Sequence, residues 1–405
     1  MSKVYKQLSE LGEIITGKTP STSNNDLWDG DIPFITPTDI NGYETFYQFK
    51  TERYVSNLGA LKQKKTILPP NSVCITCIGS TIGKPCVTKV ESITNQQINS
   101  IIPNSENDFR YVYYLIRENL PYLQLIGGGS GSGTPIISKN KFAKFKFLVE
   151  DNLCTQRRIA SILSAYDNLI ENNNRRIRLL EQMAENLYKE WFVRFRFPGH
   201  ENAEFENGLP KGWRIGRLSE YGRVETGKTP SMSKQEYYGG DYLFIKTPDM
   251  HGNMFVRETE ETLSDKGNLS QPKKLLPKGS IMVSCIGSGG VVAINAKQGH
   301  TNQQINSVIL SNMEDLEWLY FTCKALKPMI ELFGATGATM TNLSKGKFER
   351  LKVVEPSFDL RKLFHLKTKS IFDEILKLDE NIENLSRQRD LLLPRLMSGK
   401  IEVNI

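Results

Sequence analysis

The sequence predicts an α+β protein in which two homologous domains occur in tandem and each domain is followed by a long helix. Motifs of the first half recur in the second half at an offset of about 210 residues. Each copy consists mainly of short β-branched runs bounded by Gly, Pro, Asn and Ser, and an uninterrupted heptad pattern follows each copy. We expect mixed, largely antiparallel or irregular sheets with short helices, and two long antiparallel helices related by a pseudo-twofold axis.

The repeat is clearest around the motif GKTP. Residues 8–21 (LSELGEIITGKTPS) and 218–231 (LSEYGRVETGKTPS) share ten of fourteen residues. Further matches follow in the same order, among them TNQQINS at 94–100 and 301–307, and SKNKF and SKGKF at 138–142 and 344–348. The sequence therefore predicts a first domain at 1–152, a first long helix at 153–197, a second domain at 198–358 and a second long helix at 359–405.

Local patterns predict a few elements inside each copy. Residues 72–78 and 281–286 are β-branched runs that are typical of strands. Residues 108–120 have aromatic and apolar side chains at helical spacing. We therefore expect a strand at each of the first two segments and a helix at the third.

The long helices are predicted from seam residues that alternate four and three positions apart. Residues 156–192 contain no Gly or Pro, and a helix of that length spans about 55 Å at 1.5 Å per residue. The seams comprise Ile159, Leu163, Tyr166, Ile170, Asn173, Ile177, Leu180, Ala184, Leu187 and Trp191 in the first helix, and Phe364, Thr368, Ile371, Ile375, Leu378, Ile382, Leu385, Arg389, Leu392 and Leu396 in the second. Two matching seams favour pairing of the helices with each other over packing of each helix against its own globular domain. The polar members Asn173 and Arg389 either fix the register of that pair or face solvent.

Composition is that of an ordinary globular protein with a basic balance. The 405 residues are too many for one core, 39% of them are apolar and 24% are charged, and the formal net charge is +7. This charge permits a polyanionic partner. The six cysteines show no disulfide spacing, and no apolar run is long enough to span a membrane, so we expect a cytoplasmic protein.

The repeated GKTP motif raises the question of a nucleotide site. Residues 12–19 (GEIITGKT) and 222–229 (GRVETGKT) match the phosphate-loop pattern. That loop requires an apolar strand before it and a helix after it, whereas KVYKQLSEL is polar and Pro20 and Pro230 follow the motif. Each motif is therefore interpreted as a strand that runs into a proline-stopped loop.

No catalytic or metal site is predicted. Cys77 and Cys285 occupy equivalent positions, but no histidine recurs to act as a base, so both are interpreted as buried strand residues. Cys74 and Cys77 form a single C-x-x-C, and Met282 replaces Cys74 in the second copy. A zinc site would require a second pair of ligands.

The predicted helix of about 55 Å is longer than one turn of DNA, which is about 34 Å. Two unequal domains held apart by such helices suit a DNA site made of two different half-sites with a gap between them. Four segments carry a resemblance to a known family: GKTPSTSNNDLWDGDIPFITPTDI at 17–40, TNQQINSI at 94–101, QRRIASILSAYDNLIENNNRRIRLLEQMAENLYKEWF at 156–192 and DLLLPRLMSGKI at 390–401. They resemble the specificity subunits of Type I restriction-modification systems. The resemblance covers essentially the whole chain.

The resemblance implies two target-recognition domains, each of which recognises one half of an asymmetric bipartite site in double-stranded DNA. It also implies two modification subunits that bind S-adenosylmethionine and methylate adenine N6 on a flipped base. Restriction subunits would add a translocase and nuclease that use ATP and Mg. No cofactor, metal or catalytic residue is expected in this chain itself.

Site residues are predicted from the repeated and the divergent loops. Phosphate contacts are expected from Lys18, Lys84, Lys139, Lys141, Lys228, Lys345 and Lys347. Base edges are expected to be recognised where the copies diverge, and the DNA-binding set is completed by Thr19, Thr36, Thr38, Ser130, Ser132, Thr229, Lys246, Thr247, Thr336 and Thr339.

Two groups shared or clustered in the sequence have other interpretations. Gln96, Gln97, Gln303 and Gln304 recur in both copies and are interpreted as domain scaffolding. The arginines of the first helix either face DNA or dock a partner; they are Arg157, Arg158, Arg175, Arg176 and Arg178. The alternative function is a coiled-coil scaffold that organises an assembly without DNA. A DNA-recognition protein should bind duplex DNA with an affinity that falls as the salt concentration rises, whereas a scaffold should show no duplex binding.

Overall fold

A computed structural model describes residues 3–40, 46–128, 135–334 and 341–403. The chain forms two compact units: unit 1 comprises Met1–Arg175 and Asp379–Ile405, and unit 2 comprises Arg176–Leu378. Each unit therefore contains the globular part of one sequence copy together with segments of both long helices.

The first copy has the strands β1 (Lys3–Gln7), β2 (Gly12–Thr16), β3 (Trp28–Ile35), β4 (Tyr47–Gln48), β5 (Arg53–Val55), β6 (Ile67–Leu68), β7 (Val73–Thr76), β8 (Pro85–Thr88), β9 (Ser92–Thr94), β10 (Ile98–Pro103) and β11 (Lys146–Glu150). Its helices are α1 (Leu8–Leu11), α2 (Asn57–Lys62), α3 (Phe109–Glu118), α4 (Leu120–Gly128), α5 (Lys139–Ala143) and α6 (Leu153–Tyr188).

The second copy has the strands β12 (Phe205–Glu206), β13 (Leu209–Pro210), β14 (Arg214–Arg217), β15 (Gly222–Thr226), β16 (Tyr238–Ile245), β17 (Phe255–Val256), β18 (Thr262–Leu263), β19 (Ile281–Ser284), β20 (Ile286–Gly287), β21 (Val292–Asn295), β22 (Gly299–Thr301), β23 (Ile305–Leu310), β24 (Thr341–Asn342) and β25 (Lys352–Glu355). Its helices are α7 (Thr247–Met250), α8 (Asp265–Leu269), α9 (Leu316–Ala325), α10 (Lys327–Gly334), α11 (Lys345–Glu349) and α12 (Phe358–Ser398).

The five-stranded sheets of the two units correspond strand by strand. Unit 1 has a five-stranded sheet in the order β2-β10-β7-β8-β4, and unit 2 has β15-β23-β19-β21-β17. Most pairs are antiparallel, while β3 runs parallel to β9 and β16 runs parallel to β22 in a second sheet of each unit. The predicted α+β class with mixed, mainly antiparallel sheets is confirmed, and so is the tandem repeat.

A short helix covers the five-stranded sheet in each unit. In unit 1 it is α3, which begins where the Asp108 carboxylate accepts hydrogen bonds from the backbone N–H groups of Arg110 and Tyr111. The ring of Tyr111 is fully buried in the same core as Ile75 and Ile101 of the sheet. The helix predicted over 108–120 is confirmed, and α9 occupies the equivalent place in unit 2.

The long helices contribute their seams to the two cores. In unit 1, Leu163 of α6 and Leu396 of α12 are buried in one hydrophobic cluster. In unit 2, Arg176 Nη2 lies 2.7 Å from Glu374 Oε1, whereas the ring of Tyr188 lies near that of Phe364. Because higher numbers on α6 face lower numbers on α12, the two segments run antiparallel within the unit, as predicted.

Two details of the long helices differ from the sequence interpretation. The α-helix α6 ends at Tyr188 and continues as a wider π-helical turn over Lys189–Val193. Helix α12 ends at Ser398 rather than continuing to 405, since Gly399 takes a left-handed backbone with φ +80°. Arg389 does not face solvent: its side chain is buried, and its Nη1 donates to Asp167.

The polar segment that precedes the first GKTP motif is a strand, contrary to the sequence interpretation. Residues Lys3–Gln7 form β1, which pairs antiparallel with β11 and is separated from β2 by α1. A partner strand far along the chain supplies the hydrogen bonds, so the segment does not need its own apolar pattern. Of the helices that the structure describes, none is long and apolar enough to cross a membrane.

Candidate nucleic-acid interface

The GKTP loop packs closely against the TNQQ turn in each unit. The backbone N–H of Gly17 donates to the carbonyl of Ile98 at 3.2 Å. A Cβ atom on Gly17 would lie 2.2 Å from Thr94 Oγ1 and 2.3 Å from the Asn95 carbonyl oxygen. Gly227 is enclosed in the same way, with the Asn302 carbonyl oxygen 2.1 Å from the position of a Cβ. The glycine of the motif is therefore required by backbone packing.

A hydrogen bond between equivalent side chains fixes the loop. Thr19 Oγ1 donates to Gln96 Oε1 at 2.7 Å, and Thr229 Oγ1 donates to Gln303 Oε1 at 2.7 Å. These contacts support the interpretation of the repeated glutamines as scaffolding. The strand β2 that enters the loop, and the proline-stopped loop that follows, agree with the sequence interpretation and not with a nucleotide cradle, which would continue into a helix.

Three further loops join this turn through backbone hydrogen bonds. In unit 1, Asn95 N–H donates to the Ile35 carbonyl at 3.1 Å, and Cys77 N–H donates to the Gln97 carbonyl at 2.8 Å. Ile137 N–H donates in turn to the Cys77 carbonyl at 2.9 Å. The loops lie together because β2, β3, β7 and β9 all end here. We call loops 17–21, 36–39, 77–84, 94–97 and 135–139 the recognition edge of unit 1.

Unit 2 contains an equivalent recognition edge at 227–231, 246–249, 285–291, 302–304 and 342–345. Asn302 N–H donates to the Ile245 carbonyl at 3.1 Å, and Cys285 N–H donates to the Gln304 carbonyl at 2.7 Å. Leu343 N–H donates to the Cys285 carbonyl at 2.9 Å. The same backbone framework therefore presents different side chains in the two units.

The predicted lysines lie on or beside these edges. Lys18 and Lys228 are exposed at equivalent positions, and Lys84 is half-buried in loop 77–84. Lys139 and Lys345 are exposed at the starts of α5 and α11. Lys141 Nζ donates to the Ile126 carbonyl at 3.1 Å, and Lys345 Nζ lies 3.8 Å from Glu349 Oε1; Lys347 is exposed.

The predicted base-contacting residues have different surroundings in the two units. Thr36 Oγ1 donates to the Asp39 carboxylate at 2.6 Å and lies 2.8 Å from the hydroxyl of the exposed Thr38. Lys246 Nζ instead forms an ion pair with Glu261 at 2.7 Å. Thr247 is buried and its hydroxyl donates to Gln304 at 3.4 Å, so it packs the loop. Ser130, Ser132, Thr336 and Thr339 lie outside the described residues.

Side chains that were not predicted from the sequence anchor the GKTP loops. Trp28 Nε1 donates to the Ser21 carbonyl at 3.0 Å, and the hydroxyl of Tyr238 donates to the Pro230 carbonyl at 2.9 Å. The Arg53 guanidinium stacks 3.5 Å from the Trp28 ring centroid, which orients one more cation beside the edge of unit 1. The sequence feature that could have indicated these residues is the aromatic side chain at equivalent positions of the two copies, Trp28 and Tyr238.

The repeated cysteines are buried framework residues. Burial raises the pKa of Cys77 and of Cys285 to about 11, which keeps both as thiols at neutral pH. Cys74 lies in a different hydrophobic cluster from Cys77 and is not poised to share a metal with it. Within the described ranges, no group of three or more His, Cys, Asp or Glu side chains is arranged to hold a metal ion.

Comparison with known families identifies both copies. The family model for the Type I restriction modification DNA specificity domain matches residues 2–182 and again 210–387. The chain belongs to this family. The two matches correspond to the two sequence copies, so each recognition edge belongs to one DNA specificity domain. Two DNA specificity domains favour DNA recognition over a scaffold that does not bind DNA.

Individual relatives agree with this assignment. The chain is 29% identical over 364 residues to the Type I restriction enzyme HindI specificity subunit of Haemophilus influenzae, covering 75% of this chain and 78% of the relative. It is 27% identical over 413 residues to the MjaIX specificity subunit of Methanocaldococcus jannaschii, covering 98% and 93%. The fold is similar to the crystal structure of a Type I S subunit from M. genitalium, with a TM-score of 0.61 and 14% identity over 100% of this chain and 97% of that one.

Proposed function

We propose that this chain is the specificity subunit of a Type I restriction-modification complex and that each DNA specificity domain recognises one half of an asymmetric bipartite site. The observation that supports this proposal is the pair of recognition edges, which share a backbone framework and differ in side chains. Thr36 and Lys246 occupy equivalent positions, but the first presents hydroxyls and the second an ion-paired ammonium. Unlike side chains on a common framework suit unlike half-sites.

The exposed lysines of the GKTP loops are proposed to contact phosphates. Each is fixed next to a threonine that is hydrogen-bonded to a glutamine, so the lysine side chain projects from a rigid loop. Phosphate contacts orient a domain on the duplex and give the same affinity gain on every sequence. Lys18 and Lys228 thus position the two domains, while residues that differ between the edges supply specificity.

The catalytic work is proposed to belong to partners. Two modification subunits would bind S-adenosylmethionine and methylate adenine N6, and restriction subunits would use ATP and Mg for translocation and cleavage. The names of the relatives, which are specificity subunits of Type I restriction enzymes, support this division of labour. In this arrangement the present chain is a non-catalytic subunit that selects the DNA site.

Methylation mapping tests the proposal directly. The full chain is expressed with its modification subunits, and N6-methyladenine is mapped across a host genome. A single bipartite motif is expected. Lys246→Thr, which removes the cation from the second recognition edge, should alter only one half of that motif. Scattered or absent methylation, or a change in both halves, contradicts the proposal.

Salt dependence tests the phosphate contacts. Each phosphate contact contributes about 0.9 to the slope of log affinity against log salt concentration. Lys18→Ala and Lys228→Ala should each reduce that slope by about 0.9 in the assembled complex without changing the motif. Lys146→Ala is the matched control, because Lys146 is exposed on β11 opposite Gln7, away from the loop that follows β2. Equal slopes for all three variants contradict the assigned role.

A further inference from the structure

Unit 1 contains a buried ionic cluster between the long helices and α3. Asp167 of α6 accepts hydrogen bonds from Arg389 of α12 and from the hydroxyl of Tyr114 of α3. Asp167 is 9% exposed and Arg389 is 4% exposed. At its outer side, Arg117 Nη2 lies 2.9 Å from Asp390 Oδ1, and Arg117 Nη1 lies 3.9 Å from Asp167 Oδ1.

The equivalent positions of unit 2 hold apolar side chains. The repeat offset of 205 residues relates Asp167 to Phe372 and Arg389 to Ala184, and an offset of 207 relates Tyr114 to Phe321. Phe372 packs 5.9 Å from Phe321 between ring centroids, in the same hydrophobic cluster as Ala184.

The outer ion pair, by contrast, is retained in unit 2. Lys324 Nζ lies 3.0 Å from Glu185 Oε2, and these residues are the repeat equivalents of Arg117 and Asp390. The two helix interfaces therefore share an outer ion pair, in which Arg117 of unit 1 is buried and Lys324 of unit 2 is exposed. They differ in the buried side chains: three polar groups in unit 1 and three apolar groups in unit 2.

We propose that this difference makes the two copies associate only with each other, so that the α6 surface of the first copy accepts α12 and rejects a second α6. The surface that binds the first copy is therefore one that contributes a buried arginine, which in this chain is Arg389 of α12. A single buried polar group is enough to fix register and partner in paired helices. This inference concerns association of the copies and does not depend on the proposed DNA specificity.

A pair formed by two first copies would lack Arg389, which belongs to the second copy. By the repeat relation, Asp167 would face Ala184 of the second molecule, and Arg117 would face Glu185 in place of Asp390. The buried carboxylate would keep only the Tyr114 hydroxyl and the more distant Arg117 guanidinium, and the loss of the closest counter-charge of a buried carboxylate is strongly unfavourable. Two second copies would fail for the converse reason, since Arg389 would then face Phe372.

The full chain can be tested after a single cut. Residues 207 and 208 lie in the exposed turn between β12 and β13, where a Cβ on Gly208 would meet nothing within 4 Å. A protease site inserted there is cleaved after folding. Two differently tagged preparations are then mixed, unfolded in urea and refolded. Native mass spectrometry is expected to show only pairs of a first with a second copy. Pairs of identical copies at the frequency of random association overturn the proposal.

A converted chain tests the cluster itself. The variant Tyr114→Phe, Asp167→Phe and Arg389→Ala gives unit 1 the side chains already packed in unit 2, so each copy becomes compatible with itself. In the same experiment this variant is expected to form pairs of identical copies. Continued exclusive association of unlike copies would show that the cluster does not determine the partner.

A single substitution keeps the test decisive if the converted chain does not fold. Asp167→Asn in the cleaved chain should raise the dissociation constant between the two copies by about tenfold or more, because Arg389 loses its buried counter-charge. The matched control is Glu185→Gln, which changes the exposed outer pair of unit 2 and should alter that constant by less than about twofold. Equal effects of the two substitutions overturn the proposal.

Discussion

Acidification is expected to destabilise unit 2 through His300 on β22. The side chain is fully buried, with Nε2 2.9 Å from Asn268 Oδ1 and Nδ1 3.3 Å from Gln271 Nε2. The neutral ring protonated at Nε2 donates to Asn268 and accepts from Gln271, and burial lowers the pKa of His300 to about 4 from 6.5. The unfolded chain therefore binds a proton more readily than the folded chain between these two values.

The sign and size of the effect follow from this pKa difference. The contribution of His300 to stability is fully present above about pH 6.5 and is lost as the pH falls towards 4. One pKa unit corresponds to about 1.4 kcal/mol, so the complete loss is about 3 kcal/mol, and about 2 kcal/mol is lost by pH 5.

Urea unfolding of a Trp28→Phe background measures the effect. The chain has four tryptophans, and the remaining three, Trp191, Trp213 and Trp318, all belong to unit 2. His300→Ile is the matched control, because Ile93 occupies the equivalent position of the first copy. Between pH 7.5 and 5 the chain with His300 should lose about 2 kcal/mol more unfolding free energy than the variant. Parallel pH profiles would refute the reasoning.

Other expected outcomes concern unit 1. Asp167→Ala should lower the unfolding free energy of unit 1 by about 3–5 kcal/mol, measured by urea unfolding followed through Trp28; an unchanged midpoint contradicts the buried ion pair. Gly17→Ala should weaken DNA binding by the assembled complex and reduce protection of loop 17–21 from hydrogen exchange, since its Cβ would overlap Thr94 Oγ1; wild-type protection would exclude the close packing. At pH 7 a maleimide should modify the exposed Cys154 well before Cys77, whose pKa is raised by burial, as peptide mass spectrometry would show.

Much of the architecture was predictable because it depends on local and repeated patterns. The heptad seams predicted the long helices, and the GKTP repeats predicted a strand that runs into a proline-stopped loop. The strand Lys3–Gln7 was missed because its order depends on pairing with β11, not on its own pattern. The partner of Arg389 was equally hidden, because Asp167 lies 222 residues away along the chain.

The candidate site was predictable in outline and not in detail. The equivalent exposed positions of Lys18 and Lys228 were predictable, because the repeated GKTP motif forms the same loop in both copies. The ion pair of Lys246 with Glu261 and the burial of Thr247 depend on neighbours supplied by other strands. Differences between the copies therefore indicated where the edges diverge, but the side-chain contacts at those positions required the fold.

The hydrogen bond from Lys3 Nζ to the Met397 carbonyl, at 2.6 Å, joins β1 to the last turn of α12 within unit 1. Ile401 and Val403 also pack on the core of that unit. A short peptide from residue 403 to residue 3 would thus connect neighbouring parts of unit 1, and the chain could be opened instead at the exposed turn after residue 207. Such a circular permutant would encode the second copy before the first while every side chain kept its contacts. The fold therefore depends on which copy packs against which helix and not on the order in which the two copies are translated.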